Sequence, residues 1–234
     1  VTGTRVLLLH GLGATAAVWA GVAAELGGDV VAPDLPGHGA APTLPAAYTF
    51  AGAAEAVAHL VDPAGTVLLG HSFGGVVALH LAGRPGVRAV VGLGIKVAWS
   101  ADDLARAAAL AARPAAVLPT RDEAVARHLR VSGLAGLVDP ASDAALSGVG
   151  PADDGWRLAL DPRAFGVGDP EVAALLARAG VPVVLARGEH DQLVSDADLR
   201  ALGVAPVVLP GLGHNAHVED PRAVAALVAA HRGS

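Results

Sequence analysis

The run Gly70-His71-Ser72-Phe73-Gly74 places a serine between two glycines and carries the most specific chemical signal in this sequence. It sits between the apolar run TVLLG and the stretch FGGVVALHLA, which read as a strand and a helix. A sharp strand–turn–helix strains the backbone of its middle residue and brings helix and strand close together, so the flanking positions must be small. Gly70 and Gly74 meet that demand, and Ser72 then projects its hydroxyl above the sheet. The N-terminus of the following helix points at the same place, where free N–H groups favour developing negative charge.

A serine hydroxyl is a poor nucleophile until a base takes its proton. Suitable partners must come from the ends of other strands. After VPVVLAR comes GEHDQLV, which places Asp191 in a loop at a strand's carboxyl end; after PVVLP comes GLGHNAH, which places His214 likewise and His217 three residues on. His190, His214, His217 and Glu219 lack a helix that would align them as ligands, so no metal is expected.

The elements that must position these residues follow from hydrophobic patterning. Arg5–His10, Asp29–Pro33, Thr66–Gly70, Val87–Leu93, Val181–Arg187 and Pro206–Pro210 are short, nearly continuous apolar runs, as in strands with both faces covered. Ala16–Leu26, Phe50–Val61, Phe73–Ala82, Pro170–Ala179, Ala197–Leu202 and Pro221–His231 read as helices between them. The alternation predicts an α/β fold with a mostly parallel central sheet flanked by helices. From about residue 99 to 168 the rhythm breaks, leaving only helical patches such as Asp102–Ala112 and Asp122–Val131 and no good strand. This interval reads as a helical insertion, with core segments at 1–98 and 169–234.

Four blocks of this chain resemble the α/β-hydrolase superfamily: HGLG (His10–Gly13), DLPGHG (Asp34–Gly39), GHSFGG (Gly70–Gly75), and GEHD with GLGHNAHVEDP near the end. The resemblance spans the chain apart from the insertion, which falls where that family carries its cap or lid. It implies the α/β-hydrolase fold and the chain order Ser, Asp, His for the catalytic triad, selecting Ser72, Asp191 and His214. The base belongs to the Gly-His step after the last strand, hence His214 over His217. Some members draw their acid from the end of the strand before the cap, which keeps Asp102 and Asp103 as alternatives. The resemblance also implies an oxyanion hole from the backbone N–H groups of Leu12 and Phe73. Epoxide hydrolases and haloalkane dehalogenases share the fold but carry aspartate at the elbow, so Ser72 argues against both.

His71, Lys96, Trp99 and Trp156 are candidates for the substrate pocket. Lys96 either pairs with an acidic neighbour or faces the pocket and attracts a substrate carboxylate or enolate. Trp99 and Trp156, with Phe165, line the pocket or anchor the insertion's ends. Acyl transfer to water on a carboxylic ester is the expected chemistry. A C–C bond hydrolase or lyase acting on an acidic substrate and a non-catalytic binding protein of the same fold stand as alternatives, because this fold hosts many functions.

Composition narrows the rest. The 234 residues suit one domain with a modest insertion, and the absence of cysteine excludes disulfides and a thiol nucleophile. A net charge of -6, with the 16 Lys and Arg scattered, gives no nucleic-acid surface. No phosphate-cradling glycine loop follows the first strand, so no nucleotide cofactor is expected. No stretch reaches the ~18 consecutive apolar residues of a membrane helix. The opening VTGTRVLLLH reads as a strand rather than a signal peptide, and a cytoplasmic location is the expectation. The expected partner is a small-molecule substrate; oligomeric state leaves no mark on the sequence.

Overall fold

The computed structural model describes residues 3–232. Among them, six strands form one parallel sheet: β1 (Arg5–Leu9), β2 (Val30–Val31), β3 (Thr66–His71), β4 (Val87–Leu93), β7 (Val183–Gly188) and β8 (Val207–Leu209). Their order across the sheet is β2-β1-β3-β4-β7-β8. The strand bearing Ser72 therefore lies inside the sheet, and all six of its residues are buried.

The continuous apolar runs have a simple cause. Successive side chains of a strand point to opposite faces, and here each face has its own core. Leu7, Leu9, Leu68, Val90 and Leu185 pack with α2 (Phe50–Val57), α3 (Phe73–Leu81), α7 (Val172–Ala177) and α8 (Asp196–Ala201). Val6, Leu8, Leu69, Val91 and Ala186 pack against Trp19, α1 (Ala20–Leu26) and α10 (Pro221–Ala229). Two expected helices are divided: Ala16–Trp19 and Ala58–Leu60 are tighter 3₁₀ turns at the start and end of α1 and α2. The strand expected at Asp29–Pro33 pairs over two residues only, Val6 with Val30 and Leu7 with Val31.

The expectation of a strandless interval between residues 99 and 168 needs correction. It contains α4 (Ala101–Ala111), α5 (Arg121–Val131) and α6 (Asp143–Leu146), but also an antiparallel hairpin of β5 (Val149–Ala152) and β6 (Gly155–Leu158). Pro151 and three glycines or alanines weaken its strand character, which hid it from patterning. The hairpin is supported from outside: Leu118 and Trp156 exchange backbone hydrogen bonds of 2.7 and 2.8 Å. Nor is the interval detached, because Val125, Leu129 and Ala145 join the second core.

The buried sheet carries the stability. Leu68→Ala, at a fully buried position of β3, is expected to lower the unfolding free energy by about 2–5 kcal/mol in urea denaturation; a loss under about 1 kcal/mol would contradict this packing.

Candidate functional site

Between β3 and α3, Ser72 has φ 48° and ψ −112°. That conformation costs a non-glycine residue about 1–3 kcal/mol, so its surroundings must impose it. Its N–H donates to Leu93 O of the neighbouring strand at 2.8 Å, and its carbonyl accepts from Gly75 N at 3.0 Å. A Cβ at Gly74 would lie 2.2 Å from Leu9 O, and one at Gly70 would lie 2.3 Å from Gly74 O. Glycine is demanded at both because backbone meets backbone there. Gly75 is close-packed in a different way, its Cβ position 2.6 Å from an Ile95 side-chain carbon.

The structure brings Asp191 and His214 together. Asp191 follows β7, its side chain fully shielded, and its Oδ1 accepts from Leu193 N at 2.8 Å. Its Oδ2 lies 2.9 Å from His214 Nδ1. A carboxylate can only accept, so Nδ1 carries the proton of this bond and Nε2 is the nitrogen turned away from Asp191. The His214 loop is pinned by His190 N to Leu212 O (2.8 Å) and by Gly213 N to Glu219 Oε2 (2.8 Å).

Ser72 reaches the same rim through the end of β4. Leu93 accepts its N–H, and the next residue, Gly94, has a φ of 64° that favours glycine and leaves little room for a side chain. A Cβ there would sit 3.2 Å from the His214 ring and 3.3 Å from Asp191 Oδ2. Among the described residues Ser72 Oγ forms no hydrogen bond, and the N–H groups of Leu12 and Phe73 have no acceptor.

The alternative acids lie elsewhere. Asp103 closes the capping box of α4 with Ser100 and pairs with Lys96 (2.9 Å) and Arg106 (2.6 Å). Lys96, then the Ser100 backbone, hold its carboxyl well below the usual carboxylate range. Asp102 is exposed on the same helix. The rival base His217 is 1% exposed.

The four expected pocket residues are placed as follows. His71 is buried beneath the rim, 3% exposed. Lys96 is held by Asp103 and lies 4.6 Å from the Trp99 ring centroid, so the pairing reading of this lysine is the one its geometry fits. Trp99 Nε1 donates to Lys96 O, and Trp156 stacks under Arg121. A cleft of about 760 Å³ runs instead between the Asp34–Gly39 loop and the hairpin, lined by Asp34, Gly39, Val149, Arg157 and Asp161. A smaller cavity of about 120 Å³ adjoins it through Ala115, Leu158, Leu160 and Pro162 and carries Leu110, Val131 and Phe165.

The model of the alpha/beta hydrolase family matches residues 6–227. This chain is an α/β-hydrolase. It is 31% identical to lipase LipV of Mycobacterium tuberculosis, over 98% of this chain and 93% of that one. The hydrolase also overlays on E-2-(acetamidomethylene)succinate hydrolase with a TM-score of 0.80 and 23% identity, covering 99% and 92% of the two chains. An esterase from Mycobacterium tuberculosis gives 0.75 and 24% over 97% and 83%. These two likenesses establish the fold alone. No helix among the described residues is long and apolar enough to cross a membrane.

Several contacts around the α/β-hydrolase elbow escaped sequence reasoning. His10 donates from Nδ1 to Gly11 O and accepts Leu35 N at Nε2, both at 2.9 Å, clamping the HGLG loop to the Asp34–Gly39 loop. From the insertion, Ser147 bonds Thr15 (2.7 Å), and Asn215, beside His214, donates to Gly133 O (3.0 Å). Only the proximity of Asn215 to the base hinted at a role; Thr15 and Ser147 are 132 residues apart and Asn215 and Gly133 82, so neither contact leaves a local signal.

His10, His38, His71 and His217 are all buried. Burial lowers each, carrying His10 and His217 from 6.5 to about 3. Between those limits the unfolded chain binds protons that the folded chain refuses. The stability is thus full above about 6.5 and lost as pH falls towards about 3. The melting temperature is expected to drop steadily between about pH 6.5 and about pH 4.5; a flat profile there would mean that these rings are not buried as neutral groups.

Proposed function

We propose that this α/β-hydrolase is a serine esterase that works through an acyl-enzyme on Ser72. The carrying observation is the 2.9 Å contact of Asp191 with His214 Nδ1. It leaves the outer ring nitrogen as a lone-pair base at the rim where the strained elbow presents Ser72. The Ser72–His214 hydrogen bond closes in the reactive complex, since such bonds are often long without substrate.

The step balances on these groups. Ser72 Oγ bonds to the ester carbonyl carbon while its proton moves to His214 Nε2, and Asp191 stabilises the imidazolium. The carbonyl oxygen becomes an oxyanion that accepts from the N–H groups of Leu12 and Phe73. Collapse breaks the bond to the alcohol, which leaves with the proton from His214. Water then attacks the acyl-enzyme, gives its proton to His214, and releases the acid with Ser72 restored.

Residues 99–168 act as a cap over this site, on a core of 1–98 and 169–234. The cleft between hairpin and Asp34–Gly39 loop has a volume suited to a small molecule, but Ser72, Asp191 and His214 do not line it, so it does not by itself define where the ester carbonyl binds. Similarity to a protein named a lipase supports an ester as substrate. C–C cleavage of an acidic substrate drew on a free Lys96, and the Asp103 ion pair removes that support.

Ser72→Ala is expected to lower kcat at least about 1,000-fold on a short p-nitrophenyl ester and to abolish fluorophosphonate labelling. Asp191→Asn, which favours the wrong imidazole tautomer, should cost about 100- to 10,000-fold in kcat. Full esterase activity in the serine variant would refute the mechanism. Wild-type protein that resists labelling would favour a binding role.

A further inference from the structure

His71 immediately precedes the nucleophile, and neither acyl transfer nor the oxyanion hole uses it. Its Nε2 lies 2.9 Å from the main-chain carbonyl oxygen of His214, 143 residues away in the chain. A carbonyl only accepts, so Nε2 carries the proton and donates. The opposite edge meets the HGLG loop, where a Cβ on Gly11 would fall 2.6 Å from Nδ1. Only glycine at position 11 leaves room for this ring. The His214 imidazole lies 4.7 Å away between centroids and inclined to it, and His217 sits at 4.4 Å, itself packed at a tilt 4.6 Å from Trp19. The side chain is thus wedged between the oxyanion loop and the base loop, on the residue adjoining the nucleophile.

The Asp191 bond controls one ring nitrogen of His214 and therefore the ring's rotation about that contact. It does not determine the height of the loop above the sheet. The main-chain carbonyl of His214 does, because moving it moves the whole residue.

We propose that His71 is a positioning residue for the base: its Nε2–H, donated to the His214 carbonyl, ties the base loop to the nucleophile strand and keeps the imidazole within reach of Ser72. This rests on the esterase reading of Ser72 and His214. Burial, helped by the neighbouring His217 and His214 imidazoles, disfavours the charged ring, so that a single donor is directed at a single acceptor.

Two substitutions separate the hydrogen bond from mere packing. His71→Phe keeps a ring of similar shape and removes the donor, whereas His71→Gln offers an amide N–H near the Nε2 position. His71→Phe is expected to lower kcat by about 10- to 100-fold with KM within about twofold, because a displaced base costs rate rather than binding. Fluorophosphonate labelling should slow in proportion, and His71→Gln should recover most of both. A folded Phe variant with kcat within about twofold of wild type, or a Gln variant as impaired as Phe, would overturn the inference. A second measurement needs neither variant nor turnover: ¹⁵N NMR of wild-type His71 should show a neutral ring protonated on Nε2 near neutral pH. A ring protonated on Nδ1 overturns the inference regardless of activity. Wild-type protein that is never labelled at Ser72 instead counts against the esterase reading, so the two failures are distinguishable.

Discussion

A serine held at φ 48° would relax into ordinary backbone if anything around it yielded. What prevents this is contact of backbone with backbone: Gly74 against Leu9 O, Gly70 against Gly74 O, and the Ser72 N–H against Leu93 O. These contacts join α3 to three adjacent strands, β1, β3 and β4, buried apart from Arg5 and Arg88. Main chain in a packed sheet has no rotamer to change, so the strain at Ser72 is met by the most rigid part of the molecule. Everything else at the site is arranged around that fixed point.

The acid and base reach it from loops, which are softer. Their placement depends on ties to the same rigid frame: Gly94, directly after the Ser72 acceptor, supports the His214–Asp191 pair from below, and Glu189, His190 and Gly188 lock the β7 and β8 loops to one another. Gly188 is a further close approach, its Cβ position 2.1 Å from Gly213 O. The fold thus uses glycines wherever a loop of the site must touch another, and places polar side chains where loops are merely near.

The insertion has a double character. Its helices α5 and α6 contribute Val125, Leu129 and Ala145 to the core, while its hairpin faces the cleft beside the Asp34–Gly39 loop. An element rooted in the core positions cleft residues through rigid packing, whereas α4, with no buried residue, is held at its start by the Lys96–Asp103–Arg106 cluster.

Taken by itself, the sequence determined the strand–helix alternation, the strained elbow at Ser72, and the loops bearing Asp191 and His214. Each rests on local patterning: apolar runs, glycines at required spacing, a residue directly after a strand. It did not reveal the β5–β6 hairpin, whose proline and glycines carry no strand propensity and whose formation depends on pairing with Leu118. Nor did it separate the two readings of Lys96 or name the partners of His71 and His217. Those outcomes depend on which distant residues arrive beside them, Asp103 in one case and Trp19 with the base loop in the other. Local chemistry can be read along a chain, but the environment of a polar group belongs to its neighbours in space, and only the tertiary structure chooses those.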